Sequence, residues 1–97
     1  MLINVWSRGL KPEMIDEAVA FFKASVSPFT HEATGIEKQM VGLDRAANRM
    51  IMVTVYKSEE AYKAQVSSPQ FQEFIKPLEK FYATPLEIHD YEVVYDI

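Results

Sequence analysis

The chain has no cysteine and only three glycines in 97 residues. Without cysteine there is no disulfide, no thiolate metal site and no cysteine nucleophile. The scarcity of glycine leaves no room for a glycine-rich phosphate loop. No apolar run reaches the roughly 18 residues that a membrane-spanning helix requires. The opening residues, MLINVWSRGL, lack a basic segment followed by an apolar core, so no secretory leader is expected and the expected location is cytoplasmic. Basic residues are few and scattered, and the net charge is −4, which disfavours binding to a phosphate backbone. What remains is ample apolar material: 48% of residues are hydrophobic and 12% aromatic, the composition of a globular chain. The length fits one domain, 1–97.

The hydrophobic pattern alternates between the periods of strand and helix. Leu2 to Arg8 reads as a strand, with Leu2, Asn4, Trp6 and Arg8 on one face. Pro12 opens a helix that runs to about Ser27, with its stripe at Ile15, Ala18, Val19, Phe22 and Val26. Phe29 to Thr34 reads as a loop. Gly35 then introduces a strand from Ile36 to Leu43, and a turn at Asp44 to Asn48 leads into a strand from Arg49 to Tyr56. Ser58 is placed to cap a helix that runs to about Val66, and Ser68-Pro69 to start the next. Pro77 falls inside the second pattern and predicts a kink or a split. Thr84-Pro85 ends it, and Leu86 to Ile97 reads as a last strand. The order, βαββαβ, is the ferredoxin-like α+β arrangement: an antiparallel sheet under one layer of helices.

The strand Arg49 to Tyr56 is apolar on both faces. One helical layer covers only one of them, so the other would leave an apolar patch of a few hundred Å². A homodimer packed through its sheet faces is the simplest remedy.

The run VTVYKSEEAYKAQVSSPQFQEFIKPL, with Tyr56, Ser58, Glu59, Ala61, Ser68, Pro69 and Phe71 in position, resembles the signature region of the antibiotic biosynthesis monooxygenase superfamily, the dimeric α+β barrels. Thr34-Gly35 before the second strand, and Thr84, Pro85, Tyr91, Glu92, Val93 and Val94 near the end, are similar too. The resemblance implies a homodimer and cofactor-free oxidation of a small aromatic or quinol, with no flavin or metal. In related branches a histidine stands where this chain has Gln65, and another where it has Gln70. The haem-degrading branch uses an asparagine, a tryptophan and a histidine where this chain has Trp6, Gln65 and Ile75, so haem degradation is disfavoured.

Several residues are candidates for chemistry. Trp6, the sole tryptophan, can stack on a flat ligand and offer its N–H to an oxygen, or simply pack. Asn4, on the same strand face, can hold a carbonyl or a peroxide. Tyr62 and Gln65 share a helix face and, with Phe71 and Phe74, can form the lid of a small-molecule pocket or pack onto the sheet. His31 is the candidate general base, although a surface histidine fits its position as well. The catalytic set is therefore His31, Asn4 and Trp6. The substrate-binding set is Trp6, Tyr62, Gln65, Phe71 and Phe74. His89 reads as an interface residue, and no spacing suggests a metal site.

Three functions suit this pattern. The first is a cofactor-independent monooxygenase acting on a small aromatic molecule. The second is a non-catalytic ligand-binding or regulatory homodimer. The third, an RNA-recognition domain of the same order, wants a glycine and repeated aromatics on its third strand, which Arg49 to Tyr56 lacks.

Overall fold

The structure is a computed structural model that describes residues 1–25 and 35–97. Strand β1 spans Leu2–Gly9. A 3₁₀ turn, Pro12–Met14, leads into helix α1, Ile15–Ser25. Strands β2 (Ile36–Asp44) and β3 (Arg49–Tyr56) form a hairpin. Helices α2 (Glu59–Val66) and α3 (Pro69–Ile75) follow, then a 3₁₀ segment, Lys76–Phe81, and strand β4, Glu87–Glu92. The strands form one antiparallel sheet in the order β2-β3-β1-β4, the ferredoxin-like arrangement.

Local chemistry sets most of the boundaries. Ser58 Oγ accepts the Ala61 N–H at 3.1 Å and Ser68 Oγ accepts the Phe71 N–H at 3.1 Å, so each serine satisfies a donor that the first helical turn leaves unpaired. Pro69 then occupies the first turn of α3. Pro77 has no N–H to donate, and the helix gives way to 3₁₀ geometry from Lys76 onward. In the hairpin, Asn48 takes a positive φ of 52° and Asp44 Oδ1 accepts the Ala47 N–H.

Two expected spans differ. The first helix begins with a 3₁₀ turn, and α-helical geometry starts at Ile15. The last strand ends at Glu92 and not at Ile97. Among the described residues its only neighbour in the sheet is β1, whose first paired residue, Leu2, faces Glu92. Beyond that pair the Val93 N–H still donates to Met1 O at 3.3 Å, but no further register pair with β1 follows, so alternation of side chains does not suffice to extend the strand.

The helices cover one sheet face. Met50 and Met52 of β3 join Leu10, Ile15, Ala18, Phe22, Leu78 and Phe81 in the core. The other face is open. On β3, Thr54 is 2% exposed and Ile51 42%. Gly35, at φ +72°, turns the chain into β2 where a Cβ would lie 2.6 Å from the Ala61 Cβ of α2. Both the backbone angle and the close approach require glycine.

Candidate functional site

The covered face is not uniformly apolar. The strand registers align Gln39 of β2 with Thr54 of β3, Thr54 with Asn4 of β1, and Asn4 with Asp90 of β4. These four side chains form one polar row across all four strands. Gln39 Nε2 donates to Thr54 Oγ1 at 3.1 Å, and Asn4 Nδ2 donates to Asp90 Oδ1 at 2.6 Å. Asn4 and Thr54 are buried, so their polar atoms require partners or cost free energy. The row below it is Val41, Met52, Trp6 and Ile88; the row above contains Ile36, Tyr56 and Leu2. A polar stripe thus lies between apolar and aromatic bands.

Aromatic rings from the helices close over it. Phe71 of α3 meets Trp6 edge to face, with ring centres 5.5 Å apart. Tyr62 of α2 meets Tyr56 in the same geometry at 5.2 Å. Gln65 of α2 is buried. Burial pushes the Tyr56 phenol up to about 12, helped by the nearby Tyr62 and Asp90 charges. Tyr62 is raised as well, by burial first and then by Asp90. At neutral pH both phenols therefore keep their protons and act as donors, not bases.

Two buried polar atoms in this region have no hydrogen-bond partner among the described residues: Trp6 Nε1, a donor, and Gln39 Oε1, an acceptor. Native proteins leave few buried polar groups unpaired, and where they do a ligand or an ordered water often supplies the partner.

The structure brings Asn4, Trp6 and Phe71 to one face of the sheet, with Tyr62 reaching it through Tyr56. It sends Phe74 elsewhere, onto Phe21, 5.8 Å between ring centres. His31 lies outside the described residues. His89 pairs with Val5 and shares the open face with Tyr91. Sequence reasoning missed Gln39, Thr54 and Asp90. The signal for Asp90 was present: it shares strand parity with Glu92 and Ile88, and an antiparallel register set by Leu2 and Glu92 puts it opposite Asn4. Among the described residues, no group of three His, Cys, Asp or Glu side chains could hold a metal ion.

The sequence model of the family described as antibiotic biosynthesis monooxygenase matches residues 1–77. The chain belongs to that family. Solved structures share its fold at low identity. A protein of Caulobacter crescentus CB15 named for the same family superposes with a TM-score of 0.86 at 14% identity, covering 97% of this chain and 90% of that one. Rv0793 from Mycobacterium tuberculosis gives 0.82 at 13%, covering 98% and 96%. A conserved protein from Methanosarcina mazei Go1 gives 0.78 at 21%, covering 94% and 91%. Identities this low establish the fold and leave the chemistry to the residues of the site. No curated protein matches the chain in sequence. No helix of the described residues is long and apolar enough to cross a membrane.

Proposed function

We propose that this member of the antibiotic biosynthesis monooxygenase family oxidises a small hydroxylated aromatic or quinol on the covered face of its sheet, without a flavin or metal. The supporting observation is the unpaired pair Trp6 Nε1 and Gln39 Oε1 beside a polar row walled by aromatic rings. A ligand that carries both a carbonyl oxygen and a hydroxyl would satisfy the donor and the acceptor together.

In this reading Trp6 and Phe71 position the ring, and Asn4 and the Tyr56 phenol are donors toward a developing oxyanion. A base removes a proton from the substrate carbon or its hydroxyl. His31 is the base that the sequence suggests; Asp90, held against Asn4, is the carboxylate that the described residues supply. The resulting carbanion passes its electrons to dioxygen. In a hydroxyanthrone, the member of this class with a CH2 between its aryl rings, one oxygen atom ends on that carbon as a carbonyl, and the other leaves as water with the carbon's two hydrogens.

The protein works as a homodimer in this proposal, packed through the open sheet face. Ile51, Met40 and Tyr91 are 42–51% exposed there, and a second copy packed on this face would remove them from water.

A second reading, binding without turnover, is favoured by one observation: glutamine stands at position 65 where related branches have histidine. Oxygen uptake by metal-stripped protein with anthrones, hydroquinones and catechols separates the two. Saturable uptake that falls in Asp90→Asn or His31→Ala supports the oxidase chemistry. Saturable binding with no uptake supports the second reading.

A further inference from the structure

A second concavity lies away from the polar row. Helix α1 stands off the β2–β3 hairpin, and a groove of about 250 Å³ opens between them. Ala18 and Phe22 of α1, Leu43 of β2 and Met50 of β3 form its floor, while Lys23 and Arg45 stand at its mouth. None of Asn4, Trp6, Gln39, Thr54 or Phe71 lines it. Among the described residues the two cations are its only charged lining, in a chain whose net charge is −4. Lys23 makes no ion pair among the described residues. Arg45 has only a loose one: Nη1 lies 3.9 Å from Asp16 Oδ1, with both side chains largely exposed. A contact that long and that exposed holds the guanidinium weakly, so it is free to meet a better anion.

We infer that this groove is a binding site for a small apolar carboxylate, its hydrocarbon part on the α1–β2–β3 floor and its carboxylate between Lys23 and Arg45. Size and charge both select that class. A cavity of roughly 150 Å³ accommodates benzene, so this groove has room for one ring with a short arm. An anion at its mouth gains charge-assisted contacts from both cations, and the guanidinium can grip a carboxylate through two N–H groups. A neutral ligand of the same shape gains only the floor. The site is independent of the reaction proposed above.

Phenylacetate and its neutral twin phenylacetamide test this on the full chain, followed by NMR shifts of the Ala18, Leu43 and Met50 methyl groups. Phenylacetate should shift them saturably, and phenylacetamide should bind about tenfold more weakly. Lys23→Glu and Arg45→Glu change exposed side chains and leave the fold intact, yet each should weaken phenylacetate by about two- to fivefold. Asp16→Asn removes the competing carboxylate and should tighten it. Four results would overturn the inference: no saturable shift up to the solubility limit; equal binding of acid and amide; binding indifferent to both charge reversals; or shifts that follow protein concentration instead of phenylacetate, which would assign the groove to a second copy of the chain. Phenylacetate shifts that survive Trp6→Ala distinguish the groove from the polar row.

Discussion

One strand, β3, serves two surfaces with opposite demands. Toward the helices it presents Met50, Met52, Thr54 and Tyr56, all buried; toward the open side it presents Ile51, Val53 and Val55. The covered face mixes apolar packing with a polar row whose partners are individually specified. Each of these three residues on the open face is a β-branched aliphatic, interchangeable with its neighbours in chemistry. Arg49 heads that face and donates to Ser7 Oγ and Glu87 Oε2, but the stretch beyond it is aliphatic. An aliphatic centre suits burial against another surface, and a central row of specific polar partners under aromatic rings suits recognition. This contrast is the basis for the proposal that ligand chemistry belongs to one side of the sheet and assembly to the other.

Paired substitutions on β3 probe it most strongly. Met52→Ala empties a buried position and should cost about 2–5 kcal/mol in urea unfolding, whereas Ile51→Ala should cost far less in the isolated subunit. The ranking reverses for assembly: Val53→Lys on the open face should convert a dimer to a monomer in sedimentation while the subunit stays folded. A dimer that survives Val53→Lys would break the division of labour between faces.

Next in size is Gly35→Ala, which places a methyl group on the Ala61 Cβ and an L-residue at φ +72°. The expected loss is about 1–3 kcal/mol, read from thermal unfolding. Asn4→Ala removes the donor to Asp90 from a buried position and should cost about 1–3 kcal/mol, while His89→Ala on the open face should change subunit stability by less than about 0.5 kcal/mol.

The smallest effect at neutral pH comes from the tyrosines. Tyr56 and Tyr82 are both pushed up to about 12, each by burial first; at Tyr82 the Arg8 guanidinium, 3.8 Å from the ring centre, partly offsets that rise. An unfolded chain ionises its phenols near 10, so their contribution is complete below pH 10 and disappears as pH rises toward 12. Phenolate absorbance should show these two groups titrating late, with Tyr62 also above the ordinary range, and stability should be insensitive to Tyr56 and Tyr82 through the neutral range.

Much of the fold was legible because its signals are local. Ser58, Ser68, Pro69 and Pro77 act through their own backbone neighbourhoods, and each does what its chemistry dictates. The family motif also gains physical content: the glycine of Thr34-Gly35 and Ala61 of the Glu-Ala pair are coupled, since each must be small for the other to fit. The strand end at Glu92 was not legible, because it depends on where a different strand stops. The site was half legible for the same reason. Asn4 and Trp6 announce themselves on β1, but Gln39, Thr54 and Asp90 become significant only when register lines them up with Asn4 across the sheet. Phe74 has the helical spacing of Phe71 plus three, yet that spacing alone does not tell a ring over Trp6 from one against Phe21.

The most direct test of the covered-face assignment is a fluorescence titration, since Trp6 is the only tryptophan. With 1,8-dihydroxyanthrone under argon, the account predicts saturable quenching that weakens in Asn4→Ala and Gln39→Ala and persists in Val53→Ala. Absence of saturable quenching, or quenching that ignores the polar row and follows Val53, would contradict it.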